Sequence, residues 1–289
     1  MHLCQGAEAK GDYLDISDFT DNGEHTDVKF TVKSKMFALS NTFNVHKIVL
    51  AGSCWFFNEK FQENIGQQSK EHVEDLHPDG FEGLLRFSYT GNPHFESVEA
   101  AMYTRTAAQK YLMEDLVLDC ETYIHEYVEA DQVCRLIDYA MLTDNQGIHA
   151  MVTDTIARHG KYVLLSQGFV DCLEQTAHFV LDRITSTATE GDITRAVLKW
   201  ADSHCRKKRV DFKVALASFL PKLRFLSLTP QEFVQFSAPA VTRGAMTAAD
   251  ALAILTELIR GHSKQLPPWL CRVSGPRTGI PAQPSAQVA

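Results

Sequence analysis

The sequence predicts an α+β domain, a small sheet flanked by helices, followed by an all-α domain and an unordered tail. Three observations carry this. Strand-like alternation and helical periodicity mix in the first part of the chain. Between Pro93 and Pro221 there is no proline, and only Gly147, Gly160, Gly168 and Gly191 interrupt period-3.6 apolar spacing, so consecutive helices follow one another. Five of the ten prolines lie after Leu266, where acids are absent. A length of 289 residues fits about two domains. The expected boundaries are an N-terminal segment 1–23, a first domain 24–127, a second 130–260 and a tail 262–289.

The elements follow in order. Tyr13, Leu14, Ile16 and Phe19 form an apolar cluster in acidic surroundings ahead of the first strand. Val28, Phe30 and Val32 alternate with Lys29, Thr31 and Lys33, as in a half-buried strand. Phe37 to Val45 continues as a second extended segment. Ile48 to Phe61 reads as a helix with a break near Gly52, and Glu71 to Leu76 as a short third strand. Asp79 to Tyr89 places Phe81, Leu84, Leu85 and Ser88 on one helical face and is stopped by Gly91 and Pro93. Two further helices carry Val98, Ala101, Met102, Ala108 and Leu112, then Leu116, Val117, Cys120, Ile124 and Tyr127.

The second domain reads as helix throughout. Val133, Leu136, Ile137, Ala140 and Met141 keep i, i+3, i+4 spacing, and Ile148, Val152 and Ile156 follow an Asn145 cap. Ile193, Ala196, Val197, Trp200 and Ala201 form the clearest stripe in the chain. Thr229-Pro230-Gln231-Glu232 is a capping box with proline at the first helical position. Leu252, Leu255, Leu258 and Ile259 mark a last amphipathic helix after Thr247.

Composition excludes several classes. No apolar run reaches the ~18–20 residues that span a bilayer, and the first twelve residues show no secretory pattern, so cytosol or nucleus is the expected compartment. Seven cysteines without C-x-x-C argue against a disulfide framework or a structural zinc site. Residues 1–130 hold 22 acids and 10 bases, a net of −12, which disfavours nucleic acid and suits a basic protein partner.

Chemistry-bearing constellations are absent. His46 opens an apolar helix and reads as packed and hydrogen-bonded. His72, His77 and His94 lack zinc-helix spacing. A Cys54/His46 nucleophile pair needs eight residues to fold back across a helix break. No phosphate loop or G-x-S-x-G elbow occurs. Arg206-Lys207-Lys208-Arg209 reads as a solvated helix end favoured by the macrodipole, with nuclear import as the alternative. No catalytic site, metal or cofactor is expected.

Three segments in order, Thr26-Asp27-Val28-Lys29-Phe30, Phe43 to Ala51 with Phe57 and Phe61, and Phe81 to Gly91, resemble the BTB/POZ domain over roughly residues 24–127. The helices of 130–236, with Val197-Leu198-Lys199-Trp200 and Leu223-Arg224-Phe225, are similar to the BACK domain that follows BTB in ubiquitin-ligase adaptors. Cys54-Trp55 and Arg105 depart from the family pattern; the arginine is expected to snorkel its stem along apolar surface.

The resemblance implies a non-enzymatic interaction module. It implies a homodimer built on Tyr13, Leu14, Ile16 and Phe19. It also implies an adaptor role in a cullin-type ubiquitin ligase toward an unknown substrate protein. Ile65-Gly66-Gln67 stands where such adaptors carry an apolar-x-Glu cullin contact, with Gln67 replacing the acid. Asp27 and Lys47 line a polar pocket in some members; read from the residues alone, Asp27 caps local backbone and Lys47 reaches solvent. The alternative function is a nuclear scaffold or transcriptional regulator recruiting partners through the BTB domain, without direct nucleic-acid or membrane binding.

Overall fold

The computed structural model describes residues 25–143, 145, 147–261, 265–275 and 277. The chain divides into two compact units, Met1–Glu126 and Tyr127–Ala289.

In the first unit β1 (Val28–Ser34) is the middle strand of three. β2 (Leu39–Val45) pairs with it antiparallel, Val28 opposite Val45. β3 (Ser69–Val73) pairs parallel on the other side and lies two residues before the expected segment, because its register against β1 begins with Val28 opposite Ser69. Val28, Phe30 and Val32 are buried, as the alternation requires. The expected single helix is two, α1 (Lys47–Ser53) and α2 (Trp55–Phe61), and the break falls at Cys54, whose backbone is extended. The break lets Phe57 and Phe61 stack at 5.9 Å and meet Phe30 edge-on at 6.2 and 6.5 Å. Phe81 closes the cluster from α3 (Pro78–Thr90). Large buried aromatics in edge and stacked contact dominate such cores.

α3 ends on Gly91 in the left-handed conformation, as the sequence reading requires. Gly80 and Gly83 let α4 (Val98–Lys110) pack close: a Cβ at either would overlap Tyr103 or Thr104. α5 (Glu114–Tyr127) follows. Arg105 does not snorkel. It is buried, and its Nε and Nη2 donate to Glu121 Oε1 at 2.9 and 2.6 Å. A buried guanidinium is tolerated when a carboxylate meets its fork.

The second unit contains α6 (Val133–Thr143), α7 (Gly147–Leu165), α8 (Gln167–Asp171), α9 (Glu174–Arg183), α10 (Glu190–Lys208), α11 (Phe212–Ala217), α12 (Pro230–Thr242) and α13 (Ala248–Arg260). The Thr229 capping box forms, and a second one, Thr189 with Asp192, opens α10. Trp200 lies fully buried at the middle of α10. Its Nε1–H donates to Cys172 O at 2.9 Å, and its ring meets His204 and Phe219. Burial pushes the Cys120 thiol up, and the neighbouring Cys134 together with burial does the same for Cys172, so these are inert thiols.

The described part of the tail departs from expectation. Residues 265–275 and Arg277 are docked on this unit: Leu270 is buried, the Trp269 ring meets Phe225 edge-on, and Arg277 pairs with Glu190 at 3.0 Å. Composition predicted no order because few apolar groups are present, but a charged anchor with matched acceptors supplies what apolar area does not. Residues 262–264, 276 and 278–289 lie outside the described residues. Among the described residues no helix is long and apolar enough to cross a membrane.

Trp200→Ala is expected to destabilise the second unit by roughly 3–5 kcal/mol, as large core aromatics do; chemical denaturation followed by far-UV circular dichroism measures it. A second expectation concerns pH. Burial, with Arg183 nearby, holds His149 below the ordinary imidazole value, and its Nε2 has no partner among the described residues. The folded chain therefore keeps His149 neutral where the unfolded chain protonates it. The unfolded state binds more protons, so this contribution is lost as pH falls below about 6.5. Between about pH 7.5 and 5.5 the parent should lose more stability than His149→Phe; equal losses would exclude the effect.

Candidate functional site

α1 and the loop after α2 begin from an uncapped helix. His46 occupies the N-cap of α1 but makes no side-chain cap bond. Its ring Nδ1 lies 2.8 Å from Tyr89 Oη, and its backbone N–H donates to the same hydroxyl at 3.0 Å. The first-turn amide of α1 is satisfied from elsewhere in the chain: Lys47 N–H donates to Asp27 Oδ1 at 2.7 Å. A carboxylate is favoured there because the first amides of a helix are unpaired and carry positive potential.

Asp27 uses its second oxygen on the loop. Gly66 N–H donates to Oδ2 at 2.6 Å. Its backbone joins the sheet too, with Asp27 N–H on Val45 O and Ser69 N–H on Asp27 O. One residue thus fixes the start of β1, the end of β2, the start of β3, the first turn of α1 and the loop after α2.

Lys47 completes the arrangement. The side chain is fully buried, and Nζ donates to Asn64 O at 3.0 Å, Asn64 Oδ1 at 3.2 Å and Gln67 O at 2.6 Å. These match the three donors of an ammonium. The Phe61 ring lies 5.5 Å from Nζ, within cation–π range. Asp27 and Lys47 are therefore brought together, and Lys47 does not reach solvent. Their polar atoms are turned on backbone and on the loop itself.

The loop they hold carries Ile65, Gly66 and Gln67. Ile65 is 42% exposed, large for an isoleucine beside a core, and Gln67 is exposed. Gly66 has φ +81°, with open space where a Cβ would stand. A left-handed residue between them turns the chain so that the carbonyl of Gln67 faces Lys47 while both side chains stay outside. Trp55 on α2 and Ile48 on α1 are also exposed, at 67% and 60%. The arrangement offers a rigid apolar projection with an adjacent amide, suited to shape-specific contact. Among the described residues no group of three or more His, Cys, Asp or Glu could hold a metal. Tyr13, Leu14, Ile16 and Phe19 lie outside the described residues.

Sequence reasoning paired Asp27 with Lys47 and grouped Ile65, Gly66 and Gln67, without linking the pair to the group. Asn64 was missed; its signal was its position three residues after Phe61, at the mouth of the loop.

Two outcomes test the construction. Gly66→Ala should cost ~1–2 kcal/mol through left-handed strain alone, since no clash opposes it. Lys47→Met should cost at least as much, because it removes three part-buried hydrogen bonds from a charged donor, which contribute ~1.5–3 kcal/mol each. Thermal unfolding of the two variants against the parent measures both.

With this geometry in hand, the comparisons are informative. A family model for the BTB/POZ domain matches residues 16–127. The chain is 26% identical over 205 residues to "BTB/POZ domain-containing protein 6" of Homo sapiens, covering 69% of this chain and 38% of that protein. It is 28% identical over 225 residues to "BTB/POZ domain-containing protein 6-A" of Danio rerio, covering 75% and 41%. It is 23% identical over 244 residues to "BTB/POZ domain-containing protein 3" of Mus musculus, covering 82% and 44%. The chain spans about two fifths of the length of the curated relatives it matches.

Proposed function

Residues 16–127 are a BTB/POZ domain, the helices after it are consistent with a BACK-like domain, and on that premise we propose that the chain is a non-enzymatic adaptor that pairs with a second copy and docks the cullin scaffold of a ubiquitin ligase. BTB/POZ domains are protein-interaction modules. The observation that carries the sharper reading is the 64–67 loop: an exposed Ile65 on a loop tied from beneath by buried Lys47 and Asp27. Pre-set loops bind better because less conformational freedom is lost on docking.

Ile65 supplies the apolar anchor. Gln67 has the shape of the glutamate expected at this position without its charge. A hydrogen bond to a charged group contributes ~1.5–3 kcal/mol and a neutral one ~0.5–1.5. The difference is near 1.4 kcal/mol, which is about tenfold in affinity. Gly66 adds no further loss, because its conformation is already fixed by Asp27.

Calorimetry with a purified cullin N-terminal domain tests this. Gln67→Glu should tighten binding by about tenfold, and Ile65→Asp should abolish it. Binding by Ile65→Asp equal to the parent would remove the loop from the contact. No binding by either the parent or Gln67→Glu would put the scaffold reading, a regulator that recruits partners through the BTB domain, ahead of the adaptor.

Self-association is tested separately. Light scattering at micromolar concentration should give about twice the 32.4 kDa chain mass. A monomer there would defeat the pairing while leaving the cullin contact open to its own test.

A further inference from the structure

The docked residues 265–275 and Arg277 form no helix or strand, yet Arg277 is engaged by every nitrogen of its guanidinium. Arg277 donates from Nε to Glu190 Oε2 and from Nη2 to Glu190 Oε1, both at 3.0 Å. Nη2 also donates to Lys222 O at 2.8 Å, and Nη1 to Leu181 O at 3.1 Å. The side chains of Arg277 and Glu190 are 10% and 6% exposed.

Each acceptor has an unmet need of its own. Glu190 is a nearly buried carboxylate in the first turn of α10, and Arg224 N–H gives it a further bond at 2.8 Å. Leu181 O belongs to the last turn of α9, where helix carbonyls lack intrahelical donors. Lys222 O ends a turn of 3-10 helix, and its own ammonium is engaged with Asp182 at 2.9 Å. Three acceptors from three separate segments converge on a planar fork of donors. A guanidinium fits this and an ammonium does not.

The segment is held at two places. Upstream, Leu270 is buried and Trp269 meets Phe225. Downstream, Gly275 N–H donates to Ser227 Oγ, Arg224 Nη1 donates to Gly275 O, and Arg277 enters the cleft. Between them Arg272, Val273 and Ser274 are exposed. Two anchors with an exposed middle are how an extended peptide lies in a groove, and lifting such a segment breaks no helix or strand.

We propose that this cleft is a peptide-binding site for extended segments in which an arginine follows an aromatic–aliphatic pair by seven residues, filled in cis by Trp269-Leu270 and Arg277 and open to a partner protein's segment of the same pattern when the strap lifts. A buried carboxylate left without its cation is strongly unfavourable, so the vacated cleft recruits a guanidinium. Partner and strap compete, and the strap's tethering sets the threshold that a partner must exceed. Every group involved lies in the second unit, so the site is independent of any cullin contact.

The test uses the full chain carrying Arg277→Ala and a fluorescent synthetic peptide of residues 265–280. The peptide should bind this variant roughly tenfold or more tighter than the parent, whose own strap competes. Replacing its arginine by lysine should weaken it by roughly tenfold. Adding Glu190→Gln to the variant should remove binding. No binding to a variant whose circular dichroism matches the parent would overturn the site, as would equal binding of the lysine peptide. Assemblies larger than the proposed pair in the Arg277→Ala/parent mixture, in place of peptide binding, would assign the cleft to a second copy and overturn the partner reading. If Arg277→Ala does not fold, hydrogen exchange on the parent decides. The Gly275 amide should exchange roughly a hundredfold faster than amides around Trp200. Exchange as slow as those would make the strap a permanent part of the core and end the proposal.

Discussion

The first unit depends on two opposite charges taken out of water a few residues from each other's partners. Asp27 accepts from the first turn of α1 and from Gly66, and Lys47 donates into the loop after α2. Burying either charge alone would be costly; burying both with every donor and acceptor occupied removes most of that cost. What the pair provides is definition. An apolar core of Phe30, Phe57, Phe61 and Phe81 would tolerate several conformations of the 62–68 loop. A buried ammonium with three oxygen partners tolerates one. The exposed face of that loop, Ile65 and Gln67, inherits its position from contacts made beneath it.

The second unit solves the same difficulty with different groups. Its core is apolar around Trp200, and its helix ends are finished by caps, Thr189 and Thr229 among them. Yet α9 gives way to extended backbone at Ile184, and α10 begins with a carboxylate facing inward. Arg277 joins these two ends. A segment with no periodicity thereby becomes part of a helical unit, held by charge and hydrogen bonds more than by apolar area.

Three long-range ion pairs or networks share one property. Lys47 finds Gln67 20 residues away, Arg105 finds Glu121 16 away, and Arg277 finds Glu190 87 away. In each case the residues read by themselves, without the family resemblance, sent the cation to solvent or to an unordered segment. That is the usual fate of Lys and Arg, and overriding it requires a partner that only the folded chain supplies. Arg105 interrupts an apolar helical stripe, and this was the local mark of its burial; Lys47, directly after the N-cap of an apolar helix, carried a similar one.

The sequence by itself determined what short-range rules control. Val28, Phe30 and Val32 alternate because side chains of a strand point to opposite faces. α3 stops at Gly91 because only glycine adopts the left-handed cap without strain, and α12 starts at Thr229 because a capping box satisfies two amides locally. The Trp200 stripe announced a buried face through its 3.6-residue period. The resemblance of three ordered segments added the first domain's architecture. Tertiary structure alone decided which charges are buried and what they hold. Hydrogen bonds and ion pairs between residues far apart leave no periodic trace, and their strength depends on desolvation that only packing creates. The shape of the 64–67 loop and the docking of residues 265–275 and Arg277 belong to that second class.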